Sequence, residues 1–172
     1  SLRRLGPGRE SVAAYMRALL LVPTLSSFPV GHGWALLRVR DAVGASAAFH
    51  RAMKLDPKAA DAWTGAAVAA LALDEPAESK VHAQQAMRLR PDLPQACFVM
   101  ARACTRLEDW PCAARSYEAG LRLRPDADKA RFELGRVQLE LGDTEAARAS
   151  ASELRHRGSP LGQNLVSLIE AR

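Results

Sequence analysis

The sequence predicts an all-α fold built from antiparallel helix pairs, and three observations predict it. Prolines recur at one fixed step, small residues fill columns at the same step, and turn signals fall near the middle of each period. Pro23, Pro57, Pro91 and Pro125 keep the step, and the next one lands on Ser159 with Pro160 one residue late. The flanks repeat too: Met87-Arg88-Leu89-Arg90-Pro91-Asp92 is echoed by Leu121-Arg122-Leu123-Arg124-Pro125-Asp126. Self-similarity at such a fixed period marks a stack of supersecondary units.

The small-residue columns read Gly33, Ala67, Ala101, Gly135, then Ser11, Ala45, Ser79, Ala113, Ala147, and then Ala18, Ala52, Ala86, Gly120, with Leu154 breaking the last. Between them runs Tyr15, Phe49, Ala83, Tyr117, Ala151. Small residues at fixed spacing let two helices approach closely, and an aromatic fills the space where they diverge. Alanine is abundant and aromatics are 5% of the chain, a mix that suits packed helices better than sheets.

Taken in chain order, residues 1–25 read as the rear of an earlier unit. Gly6 matches Gly142, and Tyr15, Ala18 and Pro23 keep their columns, with the expectation that the natural chain extends upstream of Ser1 or that this is an excised fragment. Full units follow at 26–59, 60–93, 94–127 and 128–161. Inside them, Asp74 and Asp109 each precede a proline by two, Pro76 and Pro111. Asp is a good N-cap and proline fits a first turn, so both pairs mark the start of a second helix. Gly142-Asp143-Thr144 does the same in the last unit, with Gly closing one helix and Asp or Thr opening the next. Pro91 and Pro125 stop second helices, since proline cannot continue them. Residues 162–172 read as a closing helix, with Leu165, Leu168 and Ile169 on one face to cover the apolar end of the stack.

These columns, in this order, resemble the tetratricopeptide repeat (TPR) family, whose unit is two antiparallel helices in about 34 residues. The bulky first-helix position of that family is met by Trp63 but is occupied by Pro29, Cys97 and Arg131 in the other units. The resemblance implies a right-handed superhelical solenoid, with first helices lining a concave side. The inward-facing positions then follow by the repeat step. One row is Val30, Thr64, Phe98 and Phe132, the next Trp34, Val68, Arg102 and Arg136, and a third Arg38, Ala72, Arg106 and Glu140. Spacing of four keeps the rows on one helix face.

Aromatic rings offer contact area and Arg offers bidentate donors, the mix found in binding hot spots. The expected binding residues are Val30, Trp34, Arg38, Phe98, Arg102, Arg106, Lys129, Phe132 and Arg136. The expected ligand is a protein segment with acidic and apolar residues, or a terminal carboxylate. The competing reading has Phe98 and Phe132 packing between neighbouring units with the Arg side chains merely solvated. No Asn precedes Asn164, so the carboxylate clamp of one family subtype is not expected.

Other signals point to structure. Cys97 and Cys104 are seven apart on one helix face, and Cys112 opens the next helix. No C-x-x-C pair occurs, and buried thiols are the expectation, not a metal site or a secreted disulfide scaffold. His32, His50, His82 and His156 are dispersed without an H-x-x-x-H pair, so no metal site is expected of them. Gly31-His32-Gly33 follows no strand, and Gly6-Pro7-Gly8 reads as an interhelical turn, so neither is taken as a phosphate loop. The net charge of +5, carried by 20 Arg and 4 Lys, permits acidic partners without demanding nucleic acid. Arg88, Arg90, Arg122 and Arg124 fall in last turns, where cations complement the helix dipole. No G-x-S-x-G elbow or carboxylate pair indicates catalysis, and no cofactor is expected. The longest apolar run, Ala18 to Val22, is too short to span a bilayer.

A non-catalytic interaction scaffold is therefore expected. A regulatory or substrate-recruiting arm of a larger enzyme and a self-assembly module are the alternatives. The compartment is open between cytoplasm and bacterial periplasm. The Arg and Ala bias hints at a GC-rich bacterial genome.

Overall fold

The computed structural model describes residues 27–172, so the reading of residues 1–25 as the rear of an earlier repeat lies outside the described residues. Among the described residues there are nine helices and no strand: α1 (Ser27–Arg38), α2 (Ala42–Leu55), α3 (Ala60–Ala72), α4 (Pro76–Leu89), α5 (Pro94–Arg106), α6 (Trp110–Leu123), α7 (Asp128–Glu140), α8 (Thr144–His156) and α9 (Leu161–Glu170). The chain divides into two compact units, Ser1–Pro91 and Asp92–Arg172.

In the first unit α1 packs on α2, α2 on α3 and α3 on α4, while α1 also touches α3. Its core joins Leu36 of α1, Ala45, Phe49, Ala52 and Met53 of α2, and Ala62, Ala66 and Ala69 of α3. In the second unit each helix from α5 to α9 packs on the next, and α9 also reaches α7. Its core has Ala101, Cys104, Ala113, Tyr117, Leu121, Leu134 and Val137 around α5 to α7, and Leu139, Ala147, Ala151, Leu154 and Leu165 around α7 to α9.

The repeating columns are the buried ones. Ala45, Ser79, Ala113 and Ala147 are fully buried, as are Ala67 and Ala101, while Phe49 and Tyr117 fill the aromatic column from inside. Leu154 breaks its column where α8 shares a core with Leu165 of α9. There Leu165 of α9 lies directly over Gly135, so closely that a Cβ at that position would overlap its side chain.

Each second helix opens on an acidic residue at the same step: Asp41, Glu75, Asp109 and Asp143. Three of the four accept a hydrogen bond from the backbone three residues on, Asp41 from Gly44 N at 2.8 Å, Asp109 from Cys112 N at 3.2 Å and Asp143 from Ala146 N at 3.0 Å. Asp74, expected as a cap, is not one. The N-cap of α4 is Glu75, which makes no side-chain cap bond, and Asp74 instead takes a left-handed conformation with φ 65°. Arg40 and Glu108 do the same at φ 63° and 56°, and Gly142 at φ 77°, so the turn inside each pair needs one left-handed residue, followed by the cap. Only at Gly142 does the sequence supply the residue that adopts this backbone without strain.

The second helices α4 and α6 end at Leu89 and Leu123, with Arg90 and Arg124 as C-caps immediately before Pro91 and Pro125. The residue before proline is pushed out of the helical region, which sets the stop. Arg90 does more than complement a dipole: it pairs with Asp61 of α3 at 2.5 Å. Arg157 pairs with Asp128 of α7 at 2.8 Å across the same sequence separation, tying the start of a first helix to the end of its partner helix. The Arg157 guanidinium holds the Asp128 carboxyl below the usual carboxylate range.

Candidate functional site

The expected binding residues divide between the two units. Val30, Trp34 and Arg38 lie on α1. Val30 and Trp34 are half-buried against the core of the first unit, and Trp34 meets Phe49 edge-on with ring centres 5.4 Å apart. Arg38 is exposed at the end of α1. Val30 also lines a surface cavity of about 410 Å³ with Asp56, Lys58, Asp61, Leu89 and Arg90.

In the second unit, Phe98, Arg102 and Arg106 come from α5, and Lys129, Phe132 and Arg136 from α7. The four cations are exposed and the two rings are half-buried. Tyr117 of α6 connects the two helices. Its ring is buried, and burial pushes its hydroxyl up to about 12 while the charges of Arg102, Arg136 and Glu133 all act on it. Arg102 and Arg136, a full repeat step apart in sequence, thus both act by charge on one buried hydroxyl, which also shares a hydrogen bond with Thr105. Glu133 offsets part of this positive charge, accepting a hydrogen bond from Arg136 at 3.1 Å.

The rings have packing roles of their own. Phe98 lies against Gly120 of α6 so closely that a Cβ there would overlap the ring, and the Arg124 guanidinium covers it at 5.7 Å from the ring centre. Phe132 packs against the core shared by α7, α8 and α9. Both rings thus contribute to the interior with one side and keep partial exposure on the other.

The cysteines correct the sequence expectation of three thiols. Cys104 and Cys112 form a disulfide with S–S 2.07 Å, and Cys97 is free and buried. The sequence shows both positions but not that the tight turn brings the last turn of α5 to the first turn of α6. Burial pushes the Cys97 thiol up, away from the reactive thiolate.

Sequence reasoning also missed a cluster in the first unit. His50 of α2 and His82 of α4 meet edge-on with ring centres 5.5 Å apart, and Glu78 lies 3.1 Å from His82 Nε2. The two histidines fall just short of one repeat step apart, which is the signal that neighbouring second helices would place them side by side. His32 lies elsewhere on α1, where burial lowers its pKa. No helix among the described residues is long and apolar enough to cross a membrane.

Comparison with known proteins agrees with this architecture. The tetratricopeptide repeat family matches residues 30–94 and 98–161, well over half of the chain. Among solved structures, the chain is similar to MamA from Desulfovibrio magneticus RS-1, with TM-score 0.78 and 16% identity over 88% of this chain and 85% of that one. It is similar to YrrB, a TPR protein with an unusual peptide-binding site, with TM-score 0.75 and 19% identity over 84% of this chain and 75% of that one. A thermophilic TPR protein from Thermus thermophilus aligns with TM-score 0.74 and 16% identity over 96% of this chain and 90% of that one. No curated protein matches the chain in sequence. These identities carry the fold alone; the family match carries membership. The chain belongs to the tetratricopeptide repeat family, a scaffold for protein–protein interaction.

Proposed function

We propose that the chain is a non-catalytic scaffold that binds an acidic, partly apolar segment of a partner protein on the exposed face of α5 and α7. The observation that carries this reading is the pair Arg102 and Arg136, two exposed guanidinium groups from α5 and α7 whose charges both act on the Tyr117 hydroxyl. Arg106 and Lys129 extend the cationic face, and the half-exposed rings of Phe98 and Phe132 offer apolar contact beside it. Guanidinium groups engage carboxylates bidentately, and flanking rings supply area at little entropic cost. Val30, Trp34 and Arg38 form a separate surface on α1 that serves the same kind of contact. The peptide-binding site named for YrrB supports a peptide reading for this fold.

The test is selection of a peptide from a displayed library on the intact chain, followed by calorimetry with the selected peptide. Arg102→Glu with Arg136→Glu is expected to weaken binding by on the order of 2 kcal/mol or more. A selected peptide rich in acidic and apolar residues fits the proposal. Undiminished affinity in the double variant removes this face from consideration.

A further inference from the structure

We infer that His50, Glu78 and His82 form a binding site for a divalent transition-metal ion of the zinc class, bridging the second helices α2 and α4 of the first unit. One ring nitrogen of each histidine and one carboxylate oxygen of Glu78 all lie within 4.8 Å of one another. Two imidazoles and a carboxylate are a donor set that zinc takes, with water in the remaining position. Glu78 and His82 are one helical turn apart and already stand 3.1 Å from each other. Donors about 2.0–2.2 Å from a tetrahedral ion stand about 3.3 Å apart, so closing the site needs the His50 ring to move in by up to about 1.5 Å.

His50 is prepared for that role. Its Nδ1 is 2.8 Å from the Ser46 carbonyl oxygen, a contact in which the ring donates, and Ser46 Oγ is 3.3 Å from the same nitrogen. Donation from Nδ1 fixes the tautomer and leaves Nε2 with the free lone pair, the arrangement that orients metal-bound imidazoles. His82 is buried and held between the rings of His50 and Trp63, each 5.5 Å away centre to centre, while the Glu78 side chain is 47% exposed and open to an arriving ion. The other clustered donors, Cys104, Asp109 and Cys112, carry no such site because the two sulfurs are bonded to each other. The simpler alternative is a Glu–His hydrogen bond with a second ring set edge-on to it, and it predicts no affinity for metal.

The experiment is isothermal titration of zinc chloride into the intact chain at neutral pH, paired with thermal melting with and without zinc. His50→Ala and Glu78→Gln are the informative variants, because both side chains lie at the surface end of the cluster. His82 is buried, and its removal risks unfolding the unit. The expected result is one saturable zinc site per chain, weakened at least about tenfold in each variant. Zinc should also raise the melting midpoint of the parent chain, and raise that of the His50→Ala chain less at the same zinc concentration. Absence of saturable binding up to millimolar zinc overturns the assignment, and so does binding that is equally tight in both variants. Arg102 and Arg136 belong to the other unit, so either outcome leaves the peptide reading untouched.

Discussion

Cys104 and Cys112 join the last turn of α5 to the first turn of α6, eight residues apart in sequence and 5.8 Å apart at Cα. The bond closes a loop around the left-handed Glu108 and the cap Asp109, so it constrains the segment that turns one helix back on the other. A short closed loop removes chain entropy from the unfolded state worth about 2.5 kcal/mol. Reduction should therefore lower the stability measured by urea unfolding by roughly that amount. The double variant Cys104→Ala, Cys112→Ala should be insensitive to reductant. An unfolding curve of the parent chain that ignores reductant would show that the bond contributes nothing.

The turns inside the pairs predict two stabilising substitutions. Glu108→Gly relieves a left-handed non-glycine residue and should raise stability by about 1 kcal/mol. Glu75→Asp supplies the missing cap of α4 at the position where Asp41, Asp109 and Asp143 already cap theirs, and should add about 1 kcal/mol. Chemical unfolding of the two single variants checks both, and a loss of stability in Glu108→Gly would mean that its side chain holds the turn in another way.

Arg124 over Phe98 separates packing from binding. Arg124→Ala should cost about 0.5–1 kcal/mol of stability and loosen the ring without removing it. Phe98→Ala should cost on the order of 2 kcal/mol or more, because the ring fills the notch at Gly120. If Phe98→Ala leaves unfolding unchanged, the ring is a surface group only.

Tyr117 sets an alkaline limit. Burial raises its folded-state pKa to about 12 against an ordinary value of 10.0. A raised folded value means that the folded state holds the proton longer than the unfolded state does. Its stabilising contribution is complete below pH 10 and is lost as pH rises toward 12, by on the order of 2 kcal/mol. Absorbance titration of a Tyr15→Phe chain should show Tyr117 ionising near that upper value or together with unfolding, and ionisation near pH 10 in a folded chain would contradict the burial.

The helix pairs were legible because identical positions recur: proline just past each stop, Ala or Ser where helices touch, Phe49 and Tyr117 where they part. Asp109 and Asp143 were legible as caps for the same reason. Asp74 misled because Pro76 is the first residue of α4 whereas Pro111 is the second of α6, so the same Asp-to-Pro spacing leaves the cap one place later, at Glu75. Columns compare like with like, so they could not reveal contacts between unlike positions. That hid the Cys104–Cys112 bond across a turn, the His50–His82 pair just short of the period, and the Asp61–Arg90 and Asp128–Arg157 pairs. Helical spacing placed Phe98 on the same face as Arg102, but the depth of its ring depends on Gly120 and Arg124, which belong to the following helix and its cap.

Leu165 resting on Gly135 has a consequence for assembly. A row of identical hairpins offers the same adhesive flank at its end as at every internal joint, and nothing in the hairpin itself says stop. Here α9 lays Leu165 across that flank of α7 and α8. The solvent side of α9 carries Gln163, Asn164, Ser167 and Glu170 together with Leu168, which is exposed and does not join Leu165 in covering the flank. The flank of α7 and α8 is thereby taken up by the chain's own helix, and that joint is closed to a second copy while α9 stays seated.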